Sequence, residues 1–273
     1  MWKLIKMDFY RLFSSKAIKI GALMACIVSA AYMLLSLGIV EISKLAFESD
    51  PTLAADMGFL LSQVAWISGV DFSDIVLNGT SAFSLFIGCM LAANFIGSEQ
   101  SCGYTKNFAG QLPNRGYMAI SKFVVTSFVQ IMVLVIYTIV SVIFAQFVFK
   151  QYITGYQINM LFAGLGLRVL LHIAVNAVII FICMLAKSHA IAMVVGSIFG
   201  IGITKFAYMA ITALLSAVKI KFEIANYMPD GINNQIAVDT ISNLYLKAIL
   251  VSLAFIVVFV GANYYVASKR DVK

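Results

Sequence analysis

Six long apolar stretches fill this chain almost from end to end, and the charges between them are sorted by sign. A 273-residue chain that is 62% hydrophobic and 11% charged, with a mean hydropathy of +0.97, departs far from the roughly 25% charged residues of a soluble domain. Runs of about 20 apolar residues cross a bilayer as helices, because lipid leaves backbone polar groups no partner but each other. The sequence therefore predicts an all-α polytopic membrane protein, a single transmembrane domain over residues 1–273. Its spans fall at Ile18 to Val40, Thr80 to Gly97, Tyr117 to Phe149, Leu167 to Leu185, His189 to Met209 and Leu244 to Val266.

Six spans put both termini on one side, and the basic residues choose it. Twelve of the nineteen Lys and Arg lie before the first span, between spans two and three, after the fourth, or at the C-terminal end. By the positive-inside rule that side is the cytoplasm. Of the acids, Asp8, Glu99 and Asp271 alone lie there, and six of the other nine fall between Glu41 and Asp74. The net charge of +7 belongs to lipid headgroups and topology rather than to nucleic acid, since the basic residues border apolar runs and form no patch with stacking aromatics.

Cys26, Cys89, Cys102 and Cys183 fall in spans or in the loop after the second span, so no disulfide framework is expected. The first apolar run is too long for a signal-peptide core and is read as a retained span. Arg168, Lys205 and Lys247 interrupt apolar sequence. At 1.5 Å per residue they lie about 28, 24 and 33 Å from the cytoplasmic markers Lys187, His189 and Lys269, which places all three at the outer headgroup layer. Two readings stand: snorkelling anchors, or the lining of a substrate path near its outer exit. Two outer segments exceed a simple turn. Leu53 to Val70 reads as a helix on or dipping into the outer surface, and 210–243, with Tyr227, Pro229 and Gly231, as a re-entrant hairpin.

On the cytoplasmic side, Trp2, Ile5, Phe9, Leu12 and Phe13 recur at helical spacing with Lys3, Lys6 and Arg11 beside them. Residues 1–19 are thus an amphipathic helix expected on the inner leaflet, acting either as a lever from a partner to the first span or as a basic anchor. The loop 99–116 is too polar for lipid and too apolar for a tether. Phe108 and Leu112 at i and i+4, ended by Pro113, form an apolar knob suited to a partner's groove.

In this loop Glu99, Gly103, Lys106, Pro113 and Arg115, followed by Lys122 at the start of the third span, resemble the pattern of the permease subunits of ABC-2 type transporters. The likeness extends from the amphipathic N-terminal helix through six spans to the outer segment with Tyr227 and Pro229. It implies an interface helix, a coupling helix that docks on an ATPase, and a pair of permeases, identical or related, around a central path in a bacterial cytoplasmic membrane.

No GxxxxGK[ST] loop is present, so ATP and its Mg are expected on a separate ATPase subunit, with no cofactor in this chain. His172 and His189 on different segments make no metal site, and no nucleophile, base and orienting acid come together, so no catalytic residue is expected. Gly196 and Gly200 permit close helix packing, within the chain or across a dimer. The expectation is an exporter permease for amphipathic or hydrophobic cargo, peptides first, with drug, lipid or polysaccharide export open. A gradient-driven carrier would require acids at mid-membrane and an internal repeat, and neither is visible. A structural factor without transport would need no docking loop.

Overall fold

A computed structural model describes residues 1–49, 70–81, 83–101, 114–186, 188–217 and 222–269. The loop residues Cys102, Gly103, Lys106, Phe108, Leu112 and Pro113, the expected surface helix from Leu53, and Lys187 lie outside them.

The protein is all-α in its framework. In chain order the helices are α1 (Trp2–Ser14), α2 (Lys16–Ser49), α3 (Phe72–Ser81), α4 (Ser84–Ser101), α5 (Gly116–Phe147), α6 (Ile158–Ala186), α7 (His189–Ile201), α8 (Thr204–Ala217), α9 (Pro229–Asn233) and α10 (Val238–Lys269). Two short strands, β1 (Val70–Asp71) and β2 (Ile153–Gly155), pair in parallel at one end of the bundle. Among the described residues five helical stretches are long and apolar enough to cross a membrane: Lys16–Ile42, Phe72–Glu99, Gly116–Phe147, Ile158–Ala186 and Val238–Lys269. A sixth exists if the bent pair α7 and α8 is counted as one. These are the marks of a membrane protein.

Three expected spans change shape. The second begins eight residues earlier, at Phe72, and is jointed between α3 and α4. The fourth begins at Ile158, nine residues before Leu167. The fifth is bent by 68° at Gly202, whose φ of +79° is a left-handed conformation that suits glycine and ends α7. An apolar glycine inside an apolar run carries no mark of the break, so sequence alone reads straight through it.

Buried apolar residues form two layers. One, at the end that holds α1, joins Leu12, Phe95, Val125, Val129, Ile179 and Cys183. The other joins Met33, Ile75, Phe149, Leu167, Leu171 and Ile232. Buried polar side chains interrupt this apolar interior, among them Ser29 on α2, Gln130 on α5, and His172 and Asn176 on α6. Helices α4 and α7 approach most closely along glycines: a Cβ on Gly200 would fall 2.3 Å from the Phe86 Cα. The glycine face of the fifth stretch therefore packs inside the chain. The far end is tied by carboxylates. Asp71 Oδ1 accepts the amides of Ser73 and Gln157, each at 3.1 Å, and Asp74 Oδ1 accepts the Val238 amide at 2.9 Å where α10 begins.

Candidate functional site: a buried ionic clamp beside the 102–113 segment

Helix α1 presents Leu4, Ile5, Asp8 and Leu12 as one buried stripe, at the i, i+4, i+8 spacing of a single helix face. Three of the four are apolar and pack into the bundle. The fourth, Asp8, takes a charge into the same contact, and this is compensated locally. Ser121 at the start of α5 donates its hydroxyl to Asp8 Oδ2 at 2.5 Å, and Arg11 Nη1 stands 3.9 Å from Asp8 Oδ1. Arg11 also pairs closely with Glu99 at the end of α4, and its guanidinium lies 4.3 Å from the centre of the Phe95 ring, one turn earlier. Lys122 Nζ completes the group, 2.5 Å from the other oxygen of Glu99.

Asp8, Glu99 and Lys122 are each less than a tenth exposed. Two carboxylates and two cations balance, which is what buried charges require when removed from water. Burial pushes the Asp8 carboxyl above its usual range and the Glu99 carboxylate adds to this, against the pull of the Ser121 hydrogen bond and the two cations. The cluster therefore ties three elements together: α1, the helix that enters the 102–113 segment, and the helix that leaves it. Nearby, Asn114 donates to the Tyr264 hydroxyl at 2.6 Å and accepts the Gly116 amide at 2.8 Å, which brings α10 to the same end of the bundle. Arg115 sits at the N-terminal boundary of α5.

The expected amphipathic face of α1 divides. Ile5 and Leu12 are buried in the protein. Phe9 is half-buried and meets Phe128 of α5 edge to face at 5.3 Å. Phe13 is exposed on one side and meets the same ring at 5.8 Å, and Trp2 is 78% exposed. Glu99, read from the sequence as part of the docking loop, is turned inward as the clamp's central acid. Asp8 and Ser121 are the participants not assigned from sequence. An acid between Ile5 and Leu12 on the apolar face was the available signal.

The three basic residues expected at the outer layer have three different settings. Arg168 does not snorkel toward lipid: its side chain is fully buried, and Nη2 donates to the Ile236 carbonyl at 3.2 Å. The reason is α9, whose five residues are all buried and which packs on α6, so the chain between α9 and α10 covers the guanidinium. Lys205 is exposed just beyond the bend. Lys247 is half-buried, its Nζ 4.3 Å from the centre of the Tyr227 ring. Also in α9, Asp230 is buried and accepts from the hydroxyls of Thr204 at 2.5 Å and Tyr208 at 2.9 Å, which locks α9 to the start of α8.

Cys89 and Cys183 are buried and Cys26 is exposed. Among the described residues no group of three or more His, Cys, Asp or Glu is placed to hold a metal. No protein-family model matches the chain, and no curated protein matches it.

Proposed function

We propose that this chain is the permease subunit of an ATP-driven exporter in a bacterial cytoplasmic membrane, with both termini in the cytoplasm. Its six spans, counting α7 and α8 as one, would sit with a second permease copy or a related chain around the path. ABC ATPase subunits binding ATP and Mg would dock on the 99–116 loop, and the 210–243 segment would form the outer hairpin. Amphipathic or hydrophobic cargo is favoured, peptides first, by spans poor in charge and rich in Phe, Met and Val. Drugs, lipids and polysaccharides are the alternative cargoes.

The observation that carries this reading is the Asp8–Arg11–Glu99–Lys122 clamp. It supports the lever role of α1 over the anchor role, because a displacement of the 102–113 segment would act on two helix ends attached to α1, that of α4 by the Arg11–Glu99 ion pair and that of α5 by the Ser121–Asp8 hydrogen bond. A helix merely resting on lipid would need no such attachment. Recovery of the ATPase with this chain from its native membrane tests the docking loop. Phe108→Asp and Leu112→Asp should each lower that recovery without changing membrane insertion; unchanged recovery overturns the assignment. ATP hydrolysis by the recovered complex, with and without amphipathic peptides, drugs and lipids, then selects the cargo.

One observation favours a gradient-driven carrier as a second reading. Asp230 is a buried carboxylate whose partners are two hydroxyls, with no cation among the described residues. Buried acids beside a helix break are where proton-coupled carriers exchange protons. Proton-dependent transport by the purified chain in vesicles without ATPase, abolished in Asp230→Asn, would establish it over the ATP-driven reading.

A further inference from the structure

We propose that α6 carries a buried binding site for a small singly charged anion, a halide or a carboxylate group, built on Arg168 and His172. The two residues are one turn apart on the same helix face, and both are essentially inaccessible to solvent, at 0% and 1% exposure. Arg168 uses a single nitrogen, Nη2, on the Ile236 carbonyl. Among the described residues its Nε and Nη1 have no acceptor, and neither ring nitrogen of His172 has a partner. Four buried polar nitrogens on adjacent turns are thus unsatisfied, whereas one turn further Asn176 donates to the hydroxyls of Thr126 and Ser127.

The other buried cation in a span, Lys122, shows what this chain supplies where it intends a permanent ion pair: a carboxylate at 2.5 Å. Among the described residues Arg168 has no carboxylate partner. A guanidinium held away from water without a counter-charge is strongly unfavourable, and it does not lose its proton at any accessible pH. A water molecule would satisfy hydrogen bonds but leave the charge. An anion against Nε and Nη1 supplies both, and the N–H of a neutral His172 adds a third donor. The single fixed positive charge matches a single negative one. Leu167, Leu171 and Ile232, all buried around the same turn of α6 and in α9, restrict the occupant to a small group. These atoms define the site whether or not the protein is an exporter.

The two sources, solvent halide and organic carboxylate, are separated by titrating the purified full chain with chloride or acetate against bulky isethionate at fixed ionic strength and following its unfolding temperature. A saturable rise of about 4 °C with chloride or acetate, absent with isethionate, is expected. The more effective of the two names the source. Arg168→Met should abolish the rise, and His172→Leu should move its midpoint about tenfold toward higher concentration. Equal responses to all three salts, or a rise that survives Arg168→Met, overturns the proposal. If Arg168→Met does not fold, chloride NMR line widths on the native protein decide. Excess broadening that acetate displaces supports the site, and no excess broadening rejects it.

Discussion

Lys122 Nζ lies 2.5 Å from Glu99 Oε2, joining the first turns of α5 to the last turn of α4 across the 102–113 segment. Both side chains are buried, so the pair is sensitive to loss of one partner more than to loss of both. Glu99→Ala strands Arg11 and Lys122 together and should destabilise the protein by about 3 to 5 kcal/mol. Lys122→Met alone leaves Glu99 with Arg11 and should cost less. The double variant should be clearly more stable than the sum of the two singles predicts. Thermal unfolding of the four proteins in one detergent checks this; additive effects would mean that the two residues do not act as a pair.

Asp8 makes the docking of α1 depend on pH. Its carboxyl is held above the ordinary range in the docked helix, chiefly by burial, so the docked form retains a proton that the undocked form has released. Below the ordinary Asp value of 3.8 both forms are protonated and Asp8 does not oppose docking. As pH rises through that value toward the raised one, docking weakens. Asp8→Asn keeps an acceptor for Ser121 and removes this component. Hydrogen exchange of the α1 amides should show the variant better protected than the native protein at neutral pH, with the difference closing in acid. A difference that grows in acid would reverse the sign and refute the assignment.

Long unbroken apolar runs made α2, α5 and α10 legible, because a membrane-spanning helix needs only length and the absence of charge. The start of α6 was hidden by Arg168: a charge read as the lipid boundary is folded inward, and the helix continues ten residues beyond it to Ile158. Gly202 concealed the bend between α7 and α8 for a related reason, since glycine is tolerated in straight spans and in broken ones. At the clamp, Glu99 and Lys122 stand out as charges at span ends. Their mutual pairing, and the recruitment of Arg11 and Asp8 from about 90 residues upstream of Glu99, depend on how three helices pack, for which the sequence holds no local sign. Asp8 was visible only as an acid set between Ile5 and Leu12 on the apolar face of α1.

At the opposite end, Asp74 tests how α10 is started. Its Oδ1 accepts the Val238 amide, an orphan donor of the first turn of α10, from a different helix 164 residues away in sequence. Asp74→Ala should cost about 0.5 to 2 kcal/mol, the usual loss for a side-chain cap, while Asp74→Asn should lose less because the amide oxygen still accepts. Hydrogen exchange at Val238 and the two residues after it reads the effect directly. Equal protection in Asp74→Ala and native protein would show that the contact does not hold the start of α10.

A close backbone approach between α4 and α7 supplies a sharp test of the packing. A Cβ on Gly200 would meet Phe86 Cα at 2.3 Å and Cβ at 2.9 Å, distances that real side chains do not adopt. Phe86 is met mainly at its backbone and first side-chain carbon, so a rotamer change gives no relief and α7 must move away from α4. Gly200→Ala should therefore destabilise by about 1 to 3 kcal/mol, the cost of overpacking a close-packed interior, and Gly200→Val by more. Gly166, where nothing lies within 4 Å of the same atom, is the control: Gly166→Ala should be neutral or slightly stabilising, because alanine is the better helix former. Comparing the unfolding temperatures of the two alanine variants isolates the steric term from helix propensity, which favours alanine at both sites. If Gly200→Ala proved as stable as Gly166→Ala, α4 and α7 would have to lie further apart, and the tight approach at Gly196, where an added Cβ would lie 3.1 Å from the Cys89 carbonyl oxygen, would fail with it.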